Sequence, residues 1–109
     1  MARRPGTKEF FRPLPNGDAM RVRFDSIRGT IGEFTAQYEV WANDAWRPAV
    51  RYDSAHGRPH RDTLDWTGNV VAKEWLAEGT DANAALAIAE DDLRRHADRY
   101  HEEFLRRKP

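Results

Sequence analysis

"AMRVRFDSIRGTIGEFTAQYEVWANDAWRPAVRYD", residues 19–53, decides the fold. Met20, Val22 and Phe24 alternate with Arg21, Arg23 and Asp25. Phe34, Ala36, Tyr38, Val40 and Ala42 alternate with Thr35, Gln37, Glu39 and Trp41. Trp46, Pro48, Val50 and Tyr52 form a third alternating set. Side chains of an extended chain point to opposite faces in turn, so each set reads as a strand with one buried face. "RGTIG" (Arg28–Gly32) and "AND" (Ala42–Asp44) carry the Gly, Asn and Asp that tight hairpin turns require. Pro48 has no N–H to give to a ladder, so the third strand needs an unpaired side or a bulge there.

Downstream, "RDTLDW" (Arg61–Trp66) reads as a fourth strand with Leu64 and Trp66 inward. "TGN" (Thr67–Asn69) turns it into "VVAKEWL" (Val70–Leu76). Val71 and Trp75 share a face in either a helix or a strand, and the preceding turn favours a strand. The period then changes. Thr80 is a good N-cap, and Asp81 suits the first turn. Leu86, Ala89, Leu93, His96, Ala97, Tyr100 and Phe104 step by three and four and make one apolar stripe. Glu90–Arg94, Asp91–Arg95 and Arg99–Glu103 are spaced as ion pairs on the other faces, and Arg106, Arg107 and Lys108 suit the negative end of the dipole. A helix of about 27 residues would be roughly 40 Å long. Upstream, Pro5, Pro13, Pro15 and Asn16-Gly17-Asp18 suggest an irregular arm over residues 1–18, pinned by Phe10, Phe11 and Leu14. The expected architecture is α+β. An antiparallel β-meander of about five strands is followed by one long C-terminal helix on one face, forming a single domain over residues 19–109.

Composition narrows the function. The chain has 109 residues, enough for one domain, with 18 basic and 18 acidic side chains. That balance argues against a general nucleic-acid or membrane coat. The charge is uneven: residues 1–30 hold seven basic and three acidic side chains, a basic arm for a phosphate-bearing partner or a solvated surface. The absence of cysteine excludes disulfides, thiolate chemistry and cysteine-based zinc sites. No apolar run approaches the ~20 residues that span a bilayer, and the first residues lack the apolar core of a secretory signal. The expectation is a cytoplasmic protein without membrane contact.

Chemistry concentrates in "VRYDSAHGRPHRDTLDW" (Val50–Trp66). Gly57 and Pro59 rule out a helix, so His56 and His60 are not the paired ligands of a helical zinc motif. Three readings stand side by side. Asp53, His56, His60 and Asp62 have the chemistry to take zinc or manganese. Alternatively, the two histidines, steered by Asp53 or Asp62, act as base and acid without metal or cofactor. Arg51, Arg58 and Arg61 then hold a phosphate, and Tyr52 orients it. This is the toolkit of a metal-independent ribonuclease. The third reading is structural: Asp ties loop amides, Gly and Pro set the turn, and His pairs with Asp. If the strand continues through "HRDTLDW", His60 and Asp62 share the face of Leu64 and Trp66 as partly buried groups that need partners. His96 reads as a core-edge histidine, and Asp98 and His101 as solvent-facing.

"RYDSAHGRPHRDTLDWTG" followed by "KEWL" resembles the signature of a family of small uncharacterised bacterial and archaeal proteins: Arg-Tyr-Asp, His-Gly, His-x-Asp, then a Gly turn. Over about a dozen residues, Arg51-Tyr52-Asp53 before a histidine-rich loop is also similar to the TumE-like toxins of toxin–antitoxin pairs. Those toxins follow the Asp with a different histidine arrangement, so the likeness implies a class and transfers no catalytic residue. The combined expectation is a toxin-type ribonuclease or a phosphate- or RNA-binding protein. Its catalytic candidates are Tyr52, Asp53, His56, His60 and Asp62, with Arg51, Arg58 and Arg61 on substrate. The competing expectation is a non-enzymatic interaction module that forms a homodimer or binds a cognate protein through its long helix and exposed aromatics such as Trp41.

Overall fold

The computed structural model describes residues 6–54 and 57–109. The alternating sets become β2 (Ala19–Ile27), β3 (Thr30–Ala42), β4 (Ala45–Asp53) and β5 (His60–Leu64), and "VVAKEW" becomes β6 (Val70–Trp75). Another strand, β1 (Lys8–Pro13), lies within the stretch expected to be an irregular arm. It pairs antiparallel with β2, Phe11 opposite Arg21. The sheet is a six-stranded antiparallel meander in the order β1-β2-β3-β4-β5-β6. The two-residue turns work because Arg28, Gly29, Asn43 and Asp44 all adopt positive φ, the twist that matches the flanking strands.

Pro48 sits at a bulge. Tyr38 pairs with Val50 and Glu39 with Pro48, leaving Ala49 as the extra residue. The bulge moves Trp46 out of the inward set expected for it. Val50, Tyr52 and Ala49 are buried, whereas Trp46 is exposed on the other face beside Trp41.

The helical stripe forms as two helices rather than one: α1 (Ala82–Arg95) and α2 (Ala97–Arg106). The break is at His96, where the backbone leaves helical geometry without proline or glycine. Here the Tyr38 hydroxyl lies 2.7 Å from the Ala97 carbonyl, a side chain intruding on the helical ladder. Asp81, not Thr80, caps α1 by accepting from the Ala84 N–H at 2.8 Å. Thr80 instead donates to the Ala77 carbonyl.

α1 packs on β3, and α2 on β3 and β4. The core between them holds Met20, Val22, Tyr38, Val50, Leu86, Leu93 and Phe104. Trp66 stacks on Phe104 at 4.9 Å, its indole N–H donating to the Phe104 carbonyl. The helices leave the opposite sheet face open. β6 is exposed along its whole length. Among the described residues, no helix is long and apolar enough to cross a membrane.

Candidate functional site on the two faces of β4 and β5

Neighbouring residues of a strand point to opposite faces, and this divides the expected site. Tyr52 and Arg61 are cross-strand partners on the helix side. Arg51 opposite Asp62, and Asp53 opposite His60, are partners on the open side. Arg58 sits at the sheet edge, its guanidinium donating to the Leu76 carbonyl at 2.9 and 3.0 Å. His56 lies outside the described residues. The eight expected positions therefore do not form one cluster.

On the helix side Asp92 is the hub. The Tyr52 and Tyr100 hydroxyls each donate to its Oδ2 at 2.6 Å. His96 Nδ1 lies 2.7 Å from Oδ1. Arg61 donates to the Tyr100 hydroxyl at 2.7 Å, lies 3.5 Å from Asp92 Oδ2 and pairs with Glu74. Burial pushes the Asp92 carboxyl up. The two hydroxyls, His96 and the Arg61 charge outweigh it and hold the group below its ordinary value. Burial and the Asp92 carboxylate raise both tyrosines, Tyr100 to about 12. Beside this hub a cleft of 230 Å³ opens between Tyr52, Arg61, Glu74, Trp75, Leu76 and Ile88. The sequence offered Leu86, Ala89 and Leu93 as an apolar stripe, but gave no sign that the half-buried Asp92 would accept from two tyrosines.

On the open side one row runs Phe11, Arg21, Gln37, Arg51, Asp62, Lys73 across all six strands. Its neighbour runs Glu9, Arg23, Thr35, Asp53, His60, Trp75. Arg21 donates to Glu39 at 2.9 Å, Gln37 to Glu39 at 2.6 Å, and Arg51 to Gln37 at 2.8 Å. His60 Nε2 lies 3.3 Å from Asp62 Oδ2, and both side chains are 9% exposed. Lys73 approaches Asp62 Oδ1 at 3.3 Å without hydrogen-bond geometry. His60 Nδ1 has no hydrogen-bond partner among the described residues. The Trp75 ring meets the imidazole edge-on at 5.2 Å. Beyond Arg21 and Arg23 the face ends in an aromatic chain, Phe11 to Trp46 at 5.2 Å and Trp46 to Trp41 at 5.5 Å. Among the described residues, no three His, Asp or Glu side chains are grouped to hold a metal ion.

A third network was read wrongly from the sequence. His101 is not simply solvent-facing: its Nδ1 lies 2.9 Å from Asp18 Oδ2. Asp18 also accepts from Tyr38. Asn16 donates to Tyr38 at 2.9 Å and to Asp98 at 3.2 Å. Partners some 80 residues apart leave no local pattern in the sequence.

The chain belongs to a family described as a domain of unknown function, DUF7718, whose model matches residues 5–109. No curated protein and no solved structure matches it.

Proposed function

We propose that this chain binds single-stranded RNA on the open face of its sheet and cleaves it at His60. The observation that carries this reading is the buried His60–Asp62 pair, with Nδ1 of His60 lacking a hydrogen-bond partner among the described residues and Oδ1 of Asp62 met by the Lys73 ammonium at 3.3 Å without hydrogen-bond geometry. A buried polar atom without a partner costs free energy, and functional sites are where such costs are retained. In this reading Nδ1 of His60, buried in the free chain, is uncovered as RNA binds and takes the proton of a ribose 2′-hydroxyl, with Asp62 holding Nε2. The 2′-oxygen attacks the phosphorus, a 2′,3′-cyclic phosphate forms, and the 5′-oxygen leaves with a proton from water. Arg51 and Lys73 flank Asp62 in the same row and face the charge that develops on the phosphoryl oxygens. Tyr52 and Arg61, on the other face, leave the catalytic set.

The test is cleavage of a labelled single-stranded RNA. His60→Asn should lower the rate by about a hundredfold or more, with Tm within a few degrees of wild type. Cleavage that survives this change removes His60 from the reaction, and loss of folding returns it to a structural role.

One observation favours a second reading, an interaction module. Val70, Val71 and Trp75 are all exposed on the unpaired edge strand β6. Such edges pair with other chains unless something blocks them. Under this reading Val71→Lys abolishes self-association in light scattering without lowering Tm, whereas a wild-type monomer at high concentration rules out the homodimer.

A further inference from the structure

We propose that the cleft over β1, β2 and β3 on the open face is a second contact for the same RNA: a backbone phosphate sits between Arg21 and Arg23, and the neighbouring base stacks on Phe11, Trp46 and Trp41. The subsite deepens the reading above and rests on it for the identity of the polymer. The register puts all of its parts on one face. Glu9, Arg23 and Thr35 are cross-strand partners, and Phe11, Arg21 and Gln37 are partners two positions away along each strand. Trp41 lies four positions beyond Gln37 on β3 and is paired with Trp46. A cleft of 140 Å³ opens between Glu9, Arg21, Arg23, Thr35 and Gln37. Beside it Phe11, Trp46 and Trp41 are all exposed and meet edge to face, which leaves ring surface open for a planar ligand.

The charge of this face is layered. Glu39 and Asp62 lie low, their side chains 4% and 9% exposed, whereas their cations Arg21 and Lys73 lie above them at 42% and 41%. Arg21 holds Glu39 through Nε and Nη2, which leaves Nη1 to donate elsewhere, and its guanidinium lies 4.9 Å from the Phe11 ring centre. Arg23 is exposed and makes no ion pair among the described residues. Guanidinium forks match phosphate oxygens, and cations beside exposed rings hold single strands without sequence preference. Rings alone would also suit a protein partner. Rings beside outward cations favour a ligand that carries both planar groups and regular negative charge. Glu9 is the one carboxylate lining the cleft, and it opposes the phosphate.

The cleft is also connected to the reacting pair. Its Gln37 accepts from Arg51 at 2.8 Å, and the same row continues through Asp62 to Lys73. β2 and β5 are three strand spacings apart, about 14 Å, so a strand of a few nucleotides reaches from the cleft to His60.

The experiment titrates the full chain with a ten-nucleotide 2′-O-methyl RNA, which cannot form a cyclic phosphate, and with an abasic strand of the same length. In NMR the RNA should shift the Trp41 and Trp46 indole N–H signals, whereas the abasic strand should move only Arg21 and Arg23. Trp41→Ala should weaken RNA binding about tenfold, the size of one lost base–aromatic stack. Arg23→Ala should weaken it too, and should lower the slope of log affinity against log salt by about one, the loss of one phosphate contact. Glu9→Gln removes the opposing charge and should tighten binding, a gain that no folding defect imitates. Unmoved indoles, or wild-type affinity in Trp41→Ala and Arg23→Ala, overturn the subsite. An acidic peptide that shifts the indoles while the RNA leaves them unmoved overturns it too. The two readings fail separately. Indole shifts in a chain that leaves RNA uncut sink the His60 chemistry alone, and cleavage without indole shifts sinks the subsite alone.

Discussion

Asp92 shows how much one side chain can organise. It accepts from two tyrosines and faces His96 and Arg61, yet lies on a helix face that its sequence neighbours mark as polar. Asp92→Ala leaves two buried hydroxyls without an acceptor and should cost about 3 kcal/mol in urea unfolding. Tyr52→Phe removes one of those donors and should cost about 1 kcal/mol. The same groups set a pH window. The Asp92 carboxyl is held below its ordinary value, so its contribution is whole above about pH 4 and is lost as pH falls through the depressed value. Tyr100 is raised from 10.0 to about 12, so its contribution is whole below pH 10 and is lost between 10 and 12. Stability measured against pH should fall at both ends, and Asp92→Ala should flatten the acid limb.

At the scale of elements, small local rules decide large outcomes. Asp81→Ala should cost about 1 kcal/mol by removing the cap of α1, and Thr80→Ala clearly less, with thermal unfolding as the readout. Either result reversed would return the cap to Thr80. Four strands were legible because Met20–Phe24, Phe34–Val40, Val50–Tyr52 and Asp62–Leu64 keep a period of two. β1 was not, because Phe10-Phe11 breaks alternation and three prolines surround it. Pro48 announced the bulge but not that Ala49 would absorb it, so the side taken by Trp46 was misread. The candidate site was half legible. The residue types in Arg51–Asp62 were visible, and strict alternation alone separates Tyr52 from Arg51 and Asp53. The pairing of Asp18 with His101, by contrast, joins the turn before β2 to α2 across 83 positions and leaves no local pattern.

For the molecule as a whole, the helices cover the middle of the sheet and leave its margins to other work. β3 and β4 carry the helix packing, whereas β5 carries His60 and Asp62, whose Nδ1 and Oδ1 lack hydrogen-bond partners among the described residues. That division leaves room for an active or binding edge on a rigid centre. It also places the least protected hydrogen bonds at β6, which should exchange with deuterium ahead of β3.

The final helix has a bearing on how the chain is made. α2 supplies Phe104 against Trp66, Tyr100 to the Asp92 hub and His101 to Asp18. All three lie on an element that is translated after the whole sheet. The sheet can emerge and pair first, but Asp18 and the Trp66 indole meet their α2 partners only once α2 has followed. A chain stopped after Arg95 should therefore accumulate as an incompletely folded species that is readily digested by protease, and adding residues 96–109 back as a peptide should restore resistance.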